Sequence, residues 1–174
     1  MDCDANHRTG HLDAGGKRPF ADHQHGRTTE EVSKSLLHYR GMRVVTDDLS
    51  LASILSGSDD AEVIVASGLV RKRDRGIVGE ATIDLMRQSK FDIDIVGVSG
   101  IEADGTLLDY DYHEVRVTQA IMAQSRQVWL MADHTKFGRH ALVRLGSIAQ
   151  GDKFFTDLPV PGRLRRLLRR LGWK

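Results

Sequence analysis

FDIDIVGVSGIEADGTLLDYDYHEVRVTQAIMAQSRQVWLMA, residues 91–132, decides the fold. Residues 93–98 (IDIVGV) are a short apolar run without strict alternation, which predicts a strand covered on both faces. Residues 112–124 carry apolar side chains at helical spacing and predict an amphipathic helix. Residues 128–132 (VWLMA) predict another buried strand. Strand, helix, strand is the unit of a parallel sheet.

The same rhythm extends on both sides. Toward the N-terminus, residues 42–46 (MRVVT) and 62–66 (EVIVA) predict strands, and residues 49–55 and 78–86 predict helices. Residues 28–31 (TTEE) open a capped helix, 68–76 form a charged loop, and 103–105 form a turn. Toward the C-terminus, residues 154–156 predict a short strand and 163–171 a basic helix. The expected class is α/β, a mostly parallel sheet flanked by helices. Residues 1–26 show neither helical nor strand periodicity and hold four of the eight histidines, which reads as an irregular segment without a zinc-ligand spacing.

Composition narrows the function classes. The 174 residues are 40% hydrophobic and 28% charged, enough for one domain with a core. Cys3 is the single cysteine, so an internal disulfide framework and a cysteine-based zinc cluster are excluded. Without a membrane-length apolar run or an apolar signal core, the expectation is a cytoplasmic protein that does not meet a membrane. The net charge is +1, but residues 163–174 carry six cations and no acid, leaving the rest at −5. Such a body matches DNA poorly on its own. Leu164, Leu167, Leu168 and Leu171 recur at helical spacing, so the tail is expected to pack as an amphipathic helix rather than to bind DNA.

Ligands of parallel sheets sit beyond the strands' carboxyl ends. The informative residues are therefore Asp47 and Asp48, Ser67 and Gly68, Ser99 and Gly100, and the run from Asp133 to Gly138. Gly26, Arg27, Thr28 and Thr29 precede a helix and suit either a phosphate or simple capping. Lys136 offers a mobile point charge to an anion, and Asp133 an acceptor for hydroxyls; the alternative is a surface ion pair. Arg71 lies in a basic loop, and Asp111 and Glu114 open a helix, where acids are favourable through the dipole alone.

VVTDDLSLASIL, EVIVASGLVRKRDRGIVGEATIDLM, residues 91–122 and RQVWLMADHTKFGRHALVRLGSI, in that order, resemble the sensor domain of DeoR-family repressors over about residues 26–158. GIVGEATIDLM and DGTLLDYDYHEV most resemble the glycerol-3-phosphate regulon repressors. The resemblance implies a fold related to ribose-5-phosphate isomerase and the CoA transferases. It also implies a phosphorylated sugar or polyol as effector, no cofactor and no metal. The effector phosphate would meet Gly26, Arg27, Thr28, Thr29 and Lys136. Its sugar or polyol part would meet Asp47, Gly68, Arg71, Ser99, Gly100, Asp111, Glu114 and Asp133. Arg27 stands where the family's loop usually has threonine, and Asp47 and Asp48 where it has two asparagines. The alternative, an isomerase-like enzyme, meets an obstacle: the proton-transfer carboxylates and lysine of those enzymes are absent from residues 97–100 and 108–111. The expected function is thus effector sensing without turnover.

The resemblance also sets expectations for organisation: residues 27–158 the sensing domain, 159–174 a basic helix or tail, and a homo-oligomer. DNA would be met only through a helix-turn-helix domain that this chain lacks. The family has an apolar strand just before the threonine-rich loop, and 1–26 do not supply it. Read one base later, the codons possible for Lys17 through Gly26 permit Asn-Gly-Pro-Ser-Leu-Ile-Ile-Asn-Met-Gly. The expectation is therefore a shifted frame over 1–26, a lost first strand, and low stability or association through the opened sheet. A nonfunctional remnant is the third reading.

Overall fold

A computed structural model describes residues 18–23 and 40–173. In chain order the elements are β1 (Arg18–His23), β2 (Met42–Thr46), α1 (Leu49–Leu55), β3 (Ala61–Val65), β4 (Leu69–Val70), β5 (Ile77–Val78), α2 (Glu80–Gln88) and β6 (Phe91–Gly97). They continue with β7 (Gly100–Ile101), β8 (Thr106–Asp109), α3 (Tyr112–Met122) and β9 (Ser125–Met131). A 3-10 turn, His134–Lys136, follows, then β10 (Val143–Ser147), β11 (Lys153–Phe155) and α4 (Gly162–Arg170).

The main sheet runs β11-β9-β6-β1-β2-β3, with every neighbouring pair parallel. This is the expected α/β sheet. Alternating side chains cover its two faces. Val44, Ile93 and Ile95 pack with Leu51 and Leu55 of α1 on one side. Val45 packs with Ile83 and Met86 of α2 and Val117 and Ile121 of α3 on the other. Beside it, Val96, Val128 and Leu130 meet Val115, Leu107 and Leu145. Burial on both faces explains why β6, apart from Asp92 and Asp94, carries apolar side chains without strict alternation.

Arg18–His23 corrects the expectation that 1–26 are irregular and that the first strand is lost. β1 lies between β2 and β6, with Phe20 opposite both Val44 and Ile93. The physical reason is that two strands with facing free edges accept any extended backbone, because ladder hydrogen bonds are made by the main chain. Pro19 lacks an N–H, an unusual feature for a strand paired on both sides. The sheet is continuous from β6 through β1 to β2.

Two smaller differences have local causes. The helix expected at 78–86 starts at Glu80, because Gly79 at its N-cap has φ 125° and Val78 pairs in β5. Residues 106–109 and 143–147, to which the sequence assigned no element, form with residues 100–101 an antiparallel sheet, β10-β8-β7. Asp109, opposite Val143, opens that pairing. The C-terminal helix packs as expected: Leu164 is 2% exposed and Leu168 8%.

Candidate functional site

Gly26, Arg27, Thr28 and Thr29, and the helix expected to begin there, lie outside the described residues. The other candidates fall along the carboxyl ends of the parallel strands, and a chain of contacts joins them. Asp47 and Asp48 follow β2 and are both buried. Asp48 caps α1, accepting from Ser50 N (2.7 Å) and Leu51 N (3.3 Å). The Asp47 carbonyl accepts from Ile77 N at 2.6 Å, and Asp48 bridges Gly76, so this corner is tied to the charged loop.

That loop leads to Arg71. Its guanidinium lies 2.8 Å from Asp74, 3.2 Å from Asp111 and 2.7 Å from Glu114. The Arg71 and Glu114 side chains are only 12% and 8% exposed. Burial opposes the Arg71 charge, but the carboxylates of Glu114, Asp74 and Asp111 outweigh it and raise the pKa. Asp111 caps α3 through His113 N (2.8 Å) and Glu114 N (3.1 Å). Burial pushes its carboxyl up, and the Glu114 and His113 N–H groups with Arg71 more than reverse this, lowering the pKa.

Next along the rim, Ser99 Oγ donates to Asp109 Oδ1 at 3.2 Å, and Tyr110 N donates to the same oxygen at 2.5 Å. Gly100 is required by close approach: a Cβ there would sit 2.3 Å from the Arg139 carbonyl oxygen. Gly68 is similar, since a Cβ would sit 2.5 Å from Thr82 Oγ1 and 2.6 Å from the Val78 carbonyl.

Gly138 N donates to Ile101 O at 2.8 Å, and Phe137 bridges Ile101, which brings in the loop after β9. Asp133 starts its 3-10 turn, accepting from Thr135 N at 2.8 Å and from the Thr135 hydroxyl. Burial raises the Asp133 pKa; the two Thr135 hydrogen bonds and the Lys136 charge bring it below the ordinary value. Lys136 is half-buried, and among the described residues it forms no ion pair. His134 anchors the turn through Asp157, with its N–H and its Nδ1 both 2.7 Å from that carboxylate. Phe137 packs edge-on to Phe154, ring centres 6.2 Å apart.

Asp47, Gly68, Ser99, Gly100, Asp133 and Lys136 thus follow the carboxyl ends of parallel strands, and Arg71, Asp111 and Glu114 form one charge cluster. Sequence reasoning missed Asp74 and Asp109. Asp74 sat inside the basic loop, and its pairing with Arg71 at i,i+3 was the available signal. Asp109 sat at the end of a strand that was not recognised. No group of His, Cys, Asp and Glu among the described residues is arranged to hold a metal ion. No helix among them is long and apolar enough to cross a membrane.

Comparison with known proteins supplies the family. The description "DeoR C terminal sensor domain" matches residues 24–158. The chain is 46% identical over 143 residues to the glycerol-3-phosphate regulon repressor of Escherichia coli (strain K12), covering 82% of this chain and 57% of that protein. It is 46% identical over 135 residues to the protein of that name from Haemophilus influenzae, covering 77% and 52%. The chain thus spans about half the length of the curated relatives it matches. In fold it is similar to eIF2B beta from Chaetomium thermophilum, with a TM-score of 0.59 at 14% identity over 91% of this chain and 48% of that one. On the match over residues 24–158, this chain belongs to the DeoR C-terminal sensor domain family.

Proposed function

We propose that the rim binds a phosphorylated polyol, glycerol 3-phosphate, and that the chain is the effector-sensing part of a cytoplasmic DeoR-type repressor. The observation that carries this reading is Lys136, a half-buried cation without an ion-pair partner among the described residues, on a turn anchored at both ends. An ammonium held there contributes most to an incoming dianion, because no carboxylate has to be displaced first. Gly26, Arg27, Thr28 and Thr29 would complete the phosphate site. Asp133, Ser99 and Asp47 supply acceptors and a hydroxyl for the polyol. Arg71 is held by three carboxylates, so its part is to position Asp111 and Glu114 rather than to grip phosphate. The name of the two relatives, glycerol-3-phosphate regulon repressor, supports this choice of effector. Binding would favour one of two repressor conformations and so alter operator affinity, without chemical turnover.

A thermal-shift titration of the full chain tests the proposal, with glycerol 3-phosphate against glycerol, inorganic phosphate and ribose 5-phosphate. A ligand at a hundred times its Kd stabilises the folded state by about 2.7 kcal/mol. That corresponds to roughly 5–10 °C for a domain of this size. Glycerol 3-phosphate is expected to shift the melt at lower concentration than the others, and Lys136→Ala to weaken it at least about tenfold, the loss of one charge-assisted contact. Equal shifts by every phosphate, or none by any, would overturn the effector assignment. Turnover of ribose 5-phosphate that disappears in Lys136→Ala would replace it with the isomerase reading.

A further inference from the structure

The site rim does not use a strongly charged surface of the molecule, the outer face of α4. Its sequence is GRLRRLLRR, and Arg163, Arg165, Arg166, Arg169 and Arg170 are all exposed. At about 100° per residue these five occupy an arc of roughly 160°, opposite the arc of the leucines. Along the axis, Arg163 to Arg170 spans about 10 Å at 1.5 Å per residue. Among the described residues no carboxylate pairs with any of them; Arg165 donates to the Val160 carbonyl at 3.1 Å.

The helix that displays them is firmly seated. Leu164 and Leu168 belong to the core cluster, and Leu167 packs against it. Gly105 makes room for that packing, since a Cβ there would lie 2.6 Å from Leu167 Cδ2. At the C-terminal end Trp173 N donates to Leu168 O at 3.0 Å, and the Trp173 ring packs on Phe154.

We propose that this arginine face is a second contact surface, for the phosphate backbone of duplex DNA, in addition to the effector rim. Four features select that occupant. Guanidinium is always charged, and its fork matches phosphate oxygens. Five cations with no carboxylate partner among the described residues, spread over one helix face, exceed what one small anion can engage, whereas a duplex presents one charge per about 1.7 Å of axis. A membrane-bound amphipathic helix inserts its apolar face into lipid, and here that face is buried in the protein. The arginine arc contains no apolar residue to form the dry centre of a protein interface, nor any aromatic side chain on which single-stranded bases would stack. Contact of this kind is independent of base sequence, so it would add affinity and orientation near DNA without choosing a site.

Fluorescence anisotropy of a labelled 24-base-pair duplex of arbitrary sequence, titrated with the full chain between about 50 and 200 mM NaCl, tests the proposal. With three to five phosphates engaged, log affinity against log salt should fall with a slope of about −2.7 to −4.5. The triple substitution Arg163→Gln, Arg166→Gln, Arg170→Gln should flatten that slope by about 2.7 and weaken binding at 100 mM salt at least about tenfold. The corresponding triple lysine variant should keep the slope, which separates charge from misfolding. The proposal is overturned if the wild-type chain shows no salt-dependent binding at 50 mM, or if the glutamine variant binds like wild type. It is also overturned if a single strand binds more tightly than the duplex, or if vesicles with 30% anionic phospholipid bind at least as well. Stabilisation by glycerol 3-phosphate should be the same in all three proteins, so failure of this proposal and failure of the effector reading are told apart.

Discussion

Two capped turns on the same rim use the same parts to different ends. At the start of α3, Asp111 accepts backbone N–H groups and has a lowered pKa with Arg71 beside it. After β9, Asp133 accepts from Thr135 and has a lowered pKa with Lys136 nearby. The first cation comes from forty residues away in sequence and ties the β4–β5 hairpin to the start of α3 through two carboxylates, Asp111 and Glu114, with Asp74 of the hairpin itself as the third partner. The second comes from the same turn and spans nothing. The difference teaches that cations near acids on a rim are not equivalent binding candidates. A cation already surrounded by carboxylates holds the architecture; one left without an ion-pair partner can meet a ligand.

The strongest way to break the comparison is Arg71→Met. It leaves Asp74, Asp111 and Glu114 crowded, two of them nearly buried, without the cation they share, while Arg73 stays 3.3 Å from Asp74. Removing one partner from a buried ionic cluster costs about 3–5 kcal/mol. Denaturant melts should show that loss, and a change under about 1 kcal/mol would return Arg71 to the list of ligand-binding candidates.

The same variant sharpens the acid side. The folded-state pKa of Asp111 is lowered, so its contribution to stability is complete above the ordinary carboxylate value and is lost as pH falls through the folded value. Without Arg71 the remaining influences on Asp111 are burial, which raises its pKa, and two N–H groups, which lower it. The acid-unfolding midpoint, followed by circular dichroism, should therefore move to higher pH. Asp111→Ala, which removes the cap and one of the three carboxylates, is expected to cost about 0.5–2 kcal/mol. Loss of as much as Arg71→Met would mean that the cap, not the ion cluster, dominates this corner.

Much of this division was legible before any coordinates. The strands at 42–46 and 128–132 and the rim positions after them follow from apolar runs ending in polar residues, because burial on both faces leaves little else to read. β1 was not legible: its side chains do not read as a strand, and its place is fixed by the main chains of β2 and β6. The β10-β8-β7 sheet was hidden for a related reason. Its strands are two to five residues long, too short for alternation to register. The positions after the strand ends were legible, but not the contacts their side chains make. Arg71 and Lys136 look alike in sequence, and only the fold shows that Asp111 and Glu114 converge on the former.

The smallest effect expected is also the most discriminating. Lys136→Ala should change stability by no more than about 0.5 kcal/mol, as for a surface residue outside any buried network. Asp133 loses one favourable charge in that variant, but both hydrogen bonds from Thr135 remain, so its carboxyl should stay below the ordinary value. The turn keeps its anchors at His134 and Phe137, neither of which involves the lysine. If the variant instead melts like Arg71→Met, Lys136 is a structural tie of the same kind, and the contrast between the two turns is lost. If stability holds while glycerol 3-phosphate ceases to stabilise the protein, the lysine's charge serves the ligand and not the fold. Equilibrium melts with and without the ligand separate these outcomes in one experiment, because only the second leaves the ligand-free curve in place.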